Sequence, residues 1–303
     1  MTKSVDGADI SKANESKEVS NSVKTAKAAQ SEDMWNGYYI STIFCASHIV
    51  VFPLTMILVL YFVQGDPAAS ELGDETRLTE QWKLTQMAFI TALLLDFISW
   101  LFTVDYERAR LYYFVLVIQG LPVVSYGLLA AGVAPITMDA HGRRFIVVRY
   151  VVWLFTTPAM LYFYSCVSCI SRRELIIAMI LEYTVILTGV PACLLPFPYY
   201  WPWLIISCVA CYFVVMALSK MLTLAIQESS PDDSSYRSAL QGARIFMTTT
   251  FAAIPGVWFL AYFHLVSPLT EELLYEILDF STKAGISTMI MHSSIKTYAE
   301  EQE

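Results

Sequence analysis

The stretch LLYEILDFSTKAGISTMIM, Leu273 to Met291, reads as one apolar helix with an aspartate and a lysine near its middle. Asp279 and Lys283 are four residues apart, so they share a helix face about 6 Å apart along the axis and can compensate each other's charge. An ionised side chain at mid-bilayer costs about 2.5–3.5 kcal/mol, and a span that keeps two needs a reason. Two chemistries fit. A buried ion pair would fix the packing of the helix. Alternatively, a desolvated amine condenses with a carbonyl as a Schiff base, and the carboxylate one turn earlier holds the protonated imine.

The second chemistry requires a long apolar slot with aromatic walls for the rest of its ligand. RYVVWLFTTPAM, Arg149 to Met160, and FAAIPGVW, Phe251 to Trp258, supply one. Trp153, Phe251 and Trp258 offer flat walls, Pro255 opens a gap in its helix, and Thr156 and Thr157 present small polar groups. Each aromatic alone fits an ordinary core; their occurrence together with the lysine points to a slot.

The elements that must position these residues follow from composition. The 303-residue chain is 56% hydrophobic and only 15% charged, with a mean hydropathy of +0.52, as expected of a membrane protein. Eight apolar runs are long enough to cross a hydrocarbon core, which takes about 20 residues: Tyr39–Val63, Lys83–Val104, Leu111–Val133, Arg144–Ile170, Glu174–Leu195, Trp203–Leu222, Ala243–Val266 and Leu273–Ile295. Their short connections predict antiparallel neighbours, and long continuous runs exclude a barrel of alternating strands. The fold class is therefore all-α. A net charge of −8 offers no basic surface for nucleic acid. Residues 1–37 are polar and rich in Ser, Lys and Ala, as in a disordered tail, without the apolar core of a signal peptide. Cys45, Cys166, Cys169, Cys193, Cys208 and Cys211 all lie in apolar runs, where small packing residues are expected.

Basic residues mark the cytoplasmic side of short loops. The tail carries Lys3, Lys12, Lys17, Lys24 and Lys27, whereas GDPAASELGDETRLTEQ has only Arg77 among five acids, so both termini are expected in the cytoplasm. One loop is discordant: MDAHGRR, Met138 to Arg144, falls outside despite two arginines.

RYVVWLFTTP and LDFSTK together resemble the microbial (type 1) rhodopsins, which carry retinal on a lysine of their last helix; the similarity runs from about Trp82 to Thr297. The resemblance implies a seven-helix bundle, 82–297, with all-trans retinal on Lys283 and Asp279 as counterion. It implies Arg149 on the extracellular side of the imine, Trp153, Thr156, Thr157 and Pro158 in the third-helix pocket, and Pro255 and Trp258 in the sixth-helix wall. Val185, Gly189 and Thr282 complete the residues expected against the ligand. Glu182 aligns with an aspartate that bonds the counterpart of Thr157 in family members, and it is expected to be neutral.

Departures from the family are equally informative. Val152 stands where pumps carry the primary proton acceptor, and Phe163 where they carry the cytoplasmic donor. Phe251 replaces a tryptophan, and Ile254 replaces the tyrosine that bonds the helix-seven aspartate. A pump is disfavoured, and Asp279 is expected as the sole charged partner of the imine, lacking one tyrosine bond.

Tyr39–Val63, part of a segment 38–64, is an eighth helix preceding the seven. That arrangement resembles the enzyme-linked rhodopsins, whose last helix continues into a cytoplasmic guanylyl cyclase or cyclic-nucleotide phosphodiesterase. Residues 298–303 form only a stub with no catalytic domain, so the chain is expected to be a sensor module whose last helix shifts in light and moves the cytoplasmic end at Lys296. The extra helix is expected to act as a homodimer contact, a lever or an anchor among plasma-membrane lipids. His48 in it is expected to pack. Asp96 is expected either to face the interior as a proton group or to pair with a neighbouring helix. The competing function is a light-gated anion channel, favoured by the missing carboxylate at Val152.

Overall fold

The computed structural model describes residues 47–70, 75–104, 106–168, 170–229 and 234–292. The chain divides into two units, Met1–Val51 and Phe52–Glu303, a division that falls inside the expected extra helix. The expected tail 1–37, Cys45, Cys169, Lys296 and the stub 298–303 lie outside the described residues. In the first unit a π-helical turn spans Ser47–Val51, where His48 Nδ1 lies 3.2 Å from Ser47 Oγ.

The second unit is an all-α bundle. A first helix, α1 (Phe52–Phe62), precedes α2 (Glu75–Leu101), α3 (Tyr106–Ala130), α4 (Val147–Cys166), α5 (Arg172–Leu194), α6 (Trp201–Glu228) and α7 (Ser234–Tyr262). The last rod is built of α8 (Pro268–Phe280), a π turn (Ser281–Gly285) and α9 (Ile286–His292). Several helices outrun the apolar runs: α2 starts at Glu75 instead of Lys83, and α6 continues to Glu228 instead of Leu222. Backbone hydrogen bonding continues into the polar layer, where hydropathy no longer marks it.

Five of the described helices are long and apolar enough to cross a membrane. Their outer faces are apolar too, with Leu84, Leu94 and Leu95 of α2 and Ile205, Val209 and Phe213 of α6 exposed. Such surfaces suit lipid as solvent. Helices adjacent in sequence pack side by side, and the last rod returns against α7, α2 and α3, which encloses its polar face. α1 packs on α4, with the Phe52 ring edge-on to Phe155 at 5.4 Å. Phe52 and Met56 thereby join a core that includes Trp82, Phe89, Tyr126 and Val152.

Between α3 and α4 the discordant loop forms an antiparallel hairpin of β1 (Ile136–Met138) and β2 (Arg144–Ile146), in the register Ile136↔Ile146. Apolar periodicity gives little signal for strands of three residues. Gly142 turns the chain with φ 75°, and Asp139 Oδ1 accepts the amides of His141 and Arg143, both at 2.8 Å. Both arginines are buried. Arg143 pairs with Asp139 at 2.7 Å, lies 3.6 Å from Glu271 and stands over the Trp258 ring at 4.9 Å, while Arg144 Nε donates to the Ala69 carbonyl at 3.0 Å. Burial alone would lower the pKa of Arg143, but Asp139 and Glu271 outweigh it and raise it. The two charges are thus committed inside the fold.

Removing Asp139 leaves a buried guanidinium with Glu271, at 3.6 Å, as its remaining carboxylate. Asp139→Ala is expected to lower unfolding free energy by about 3 kcal/mol, the low end for a broken buried pair because Glu271 remains near; thermal unfolding in detergent measures it.

Candidate functional site

Lys283 sits in the π turn of the last rod, one of its largest fully buried side chains. The local sequence explains the widened turn. Thr282 Oγ1 donates to the carbonyls of Leu278 (2.8 Å) and Asp279 (3.1 Å), and Ser287 Oγ donates to the Lys283 carbonyl. Hydroxyls bonding back to the turn compete with the α ladder and loosen it where the amine must project.

The amine pairs with Asp279, and both side chains are almost wholly removed from solvent. Asp279 is itself held from two other helices. Trp153 Nε1 of α4 donates to Oδ1 at 2.8 Å, and the Tyr126 hydroxyl of α3 donates to Oδ2 at 3.1 Å. Three donors thus converge on one carboxylate, the arrangement that makes a buried charge tolerable. The expected loss of a tyrosine bond at Ile254 is therefore only part of the picture, since Tyr126 supplies one from the opposite side. Sequence reading missed Tyr126; a tyrosine inside an apolar run, needing a partner for its hydroxyl, was the available signal.

Arg149 is buried one layer further toward the hairpin. It makes a two-pronged pair with Glu272, with Nη1 to Oε1 at 3.3 Å, and its guanidinium stacks on Tyr275 at 4.9 Å. Glu272 and Tyr275 were also missed, although their spacing before Asp279 places them on the polar face of the same helix. Two cations, Lys283 and Arg149, thus face two carboxylates, Asp279 and Glu272.

Beside the amine lies a cavity of ≈ 110 Å³. Among the expected site residues, Lys283, Asp279, Thr282, Trp153, Thr157, Glu182, Val185, Gly189, Phe251, Ile254, Pro255 and Trp258 line it. Arg149, Val152, Thr156 and Pro158 do not: Arg149 turns to Glu272, Val152 packs in the apolar core, Thr156 Oγ1 bonds the Val152 carbonyl at 2.9 Å, and Pro158 is buried within α4 away from the cavity. Cys193 joins the wall unexpectedly, accepting from Trp258 Nε1 at 3.2 Å. Thr157 Oγ1 donates to the Trp153 carbonyl at 2.7 Å and also shares a side-chain hydrogen bond with Glu182.

An amine in an aromatic, largely apolar cavity, with its charge matched by a fixed carboxylate, can carry an apolar carbonyl ligand. A seven-helix bundle with such a lysine defines the class of retinal-binding membrane proteins. Residues 77–297 match the bacteriorhodopsin-like protein family, so the chain belongs to that family and is an integral multi-pass membrane protein. Members of the family bind retinal as chromophore, and the cavity residues fit that group.

Relatives include sensory rhodopsin-2 of Haloarcula vallismortis, 27% identical over 193 residues that cover 62% of this chain and 79% of that protein. Bacteriorhodopsin-II of Haloarcula marismortui is 28% identical over 198 residues, covering 62% and 77%. Among solved structures, the transmembrane domain of Salpingoeca rosetta rhodopsin phosphodiesterase superposes with a TM-score of 0.73 at 20% identity, covering 86% of this chain and 97% of that one. Thermophilic rhodopsin from Rubrobacter xylanophilus superposes with a TM-score of 0.64 at 20% identity, covering 71% and 95%. At these identities the structural likeness establishes the fold.

Tyr126→Phe removes a donor to a buried carboxylate and little else. It is expected to lower unfolding free energy by about 1.5–3 kcal/mol, the range for hydrogen bonds to charged groups. Thermal melts of the variant against Tyr113→Phe, whose ring lies elsewhere on α3, test whether the loss is specific to the Asp279 contact.

Proposed function

We propose that the protein is a light sensor. Lys283 carries retinal, all-trans in the dark, and the last helix passes the light response to a cytoplasmic cyclic-nucleotide phosphodiesterase or guanylyl cyclase. The observation that carries this reading is the buried Lys283–Asp279 pair, fixed by Tyr126 and Trp153 at the wall of an aromatic cavity. When bound as a protonated imine, retinal supplies visible absorption and the light-driven change from all-trans to 13-cis.

The protein's own residues do the rest. Asp279 neutralises the charge at the lysine nitrogen, and its two other donors restrict it to one position. Phe251, Pro255 and Trp258 put α7 against the same cavity as Lys283, so a change of shape there bears on α7 and the last rod together. The π turn gives the last rod a point at which to bend.

No side chain at the two pump positions can exchange a proton, since these are Val152 and Phe163, both buried among apolar groups. Directional transport requires an acceptor and a donor in sequence, so signalling is favoured over pumping. The channel reading drew on the absent carboxylate at Val152, but that side chain packs against the core with Phe52 and Met56 instead of facing an aqueous passage. The sensory rhodopsin relatives support signalling, and the resemblance in shape to the Salpingoeca rosetta domain supports an enzyme as effector. The proposed setting is the plasma membrane, with both termini cytoplasmic and a homodimer as the working unit.

All-trans retinal added to the apoprotein is expected to give a visible band that hydroxylamine bleaches, and Lys283→Ala is expected to give none. A band that survives Lys283→Ala would refute the attachment. Under voltage clamp, light is expected to evoke no large passive current. One that reverses near the chloride potential would establish the channel instead.

A further inference from the structure

The last rod carries a second buried polar cluster that the cavity does not use. Asp96 of α2 is fully buried. Its Oδ2 accepts from Gln119 Nε2 of α3 at 2.7 Å and from Thr288 Oγ1 of α9 at 2.9 Å, and its Oδ1 lies 3.1 Å from His292 Nε2, at the end of α9. One carboxyl therefore ties three helices together.

The alternation of the helices places this cluster away from the hairpin. α2 is near its C-terminal end at Asp96, whereas Arg143 and Glu271 mark the hairpin side where the last rod begins. The cluster thus sits where the last rod leaves the bundle. Thr288 and His292 follow Lys283 by five and nine residues, so the tie lies within about 14 Å of the amine along the same rod.

Of the two roles open to Asp96, the contacts show the pairing with neighbouring helices. An amide nitrogen can only donate, and Thr288 directs its hydroxyl to the same oxygen, so the carboxyl acts as an acceptor. Gln119 Oε1 is left buried without a hydrogen-bond partner, so the side chain is turned to present its amide group to Asp96. With Oδ2 accepting from α3 and α9 and Oδ1 against His292, the carboxyl is a tether between helices. A neighbouring contact reinforces it, since Arg108 Nη2 of α3 donates to the Met291 carbonyl at 2.6 Å.

We infer that Asp96 is a latch. In the dark it holds Thr288 and His292, and with them the outgoing end of the last rod, to α2 and α3; light releases that end by breaking these bonds. The light half of this inference rests on the proposed sensor function, whereas the dark half stands on the contacts alone. Asp96 acts by positioning the rod and does not line the cavity, so its removal should leave the visible band in place.

Hydrogen–deuterium exchange of the amides in 286–292 tests it, in nanodisc-embedded protein loaded with retinal. The wild type is expected to exchange slowly in the dark and about tenfold faster under illumination, as a released helix end does. Asp96→Ala is expected to exchange fast in the dark with no further gain in light, while 268–280 stays protected and the band persists. Should Asp96→Ala fail to fold, Thr288→Val with His292→Phe removes the same bonds from the other side and should give the same result. Unchanged dark exchange in both variants overturns the latch. So does a wild type that is coloured and photoreactive yet keeps 286–292 protected in light. If the wild type takes up no retinal at all, the sensor reading falls, and dark exchange of the same variants still decides whether Asp96 holds the helix end.

Discussion

A charged amine in a medium that cannot hydrate it constrains every element around it. Lys283 is compatible with its surroundings only if a carboxylate stands beside it, and that carboxylate is compatible only if other donors occupy its remaining lone pairs. Asp279 meets the first requirement from the same helix, while Tyr126 and Trp153 meet the second from α3 and α4. Those two donors reach it only because α3, α4 and the last rod pack face to face, so the bundle geometry and the charge geometry depend on each other. The aromatic wall follows from the same constraint, because water in the cavity would compete for the ion pair that the donors hold.

Charge balance explains a departure that would otherwise leave the site one anion short. With Val152 in the place of a carboxylate, Lys283 and Arg149 would together face Asp279 alone. Glu272 supplies the missing charge from the last rod and takes Arg149 with it. The consequence is two closed pairs in place of a shared network. Asp279 is undivided between the two cations, and Arg149 is fastened beneath Tyr275 instead of being poised to swing toward the amine. A pump needs groups whose charges exchange in order; two closed pairs suit a receptor, in which the nitrogen stays neutralised and shape is the output.

Most of the architecture was legible from hydropathy, because a lipid-facing surface forces long apolar runs, and the Asp279–Lys283 pair stood out because its charges contradict their setting. What was illegible has physical causes. Tyr126 and Trp153 act through hydroxyl and indole hydrogen atoms on residues that count as apolar, so a composition window cannot distinguish a ligand of Asp279 from ordinary core. Glu272 was legible as an acid on the right face, but its partner lies on α4, 123 residues away. The hairpin was hidden for a different reason: strands of three residues are shorter than any period that could announce them. Its two arginines are buried and paired inside the fold, a setting that a count of basic loop residues does not distinguish from one facing water. Val152 and Thr156 were expected near the ligand because they share α4 with Trp153 and Thr157, yet the helix turns them toward the core side.

The last rod carries polar anchors at three depths. Near the hairpin Glu272 binds Arg149, at its centre Asp279 holds Lys283, and toward its exit Thr288 and His292 meet Asp96. Apolar contacts alone would let a helix in lipid slide or rotate at little cost, because neighbouring side chains and lipid tails attract it almost equally. Directional bonds to different helices at separate heights remove that freedom and leave the rod one seat. Between the central and exit anchors lies the π turn, where the ladder is already loosened by Thr282 and Ser287. A rod pinned at its hairpin end and hinged at its centre can respond to a push at Lys283 mainly at its exit, so the geometry directs motion toward the end where the rod leaves the bundle.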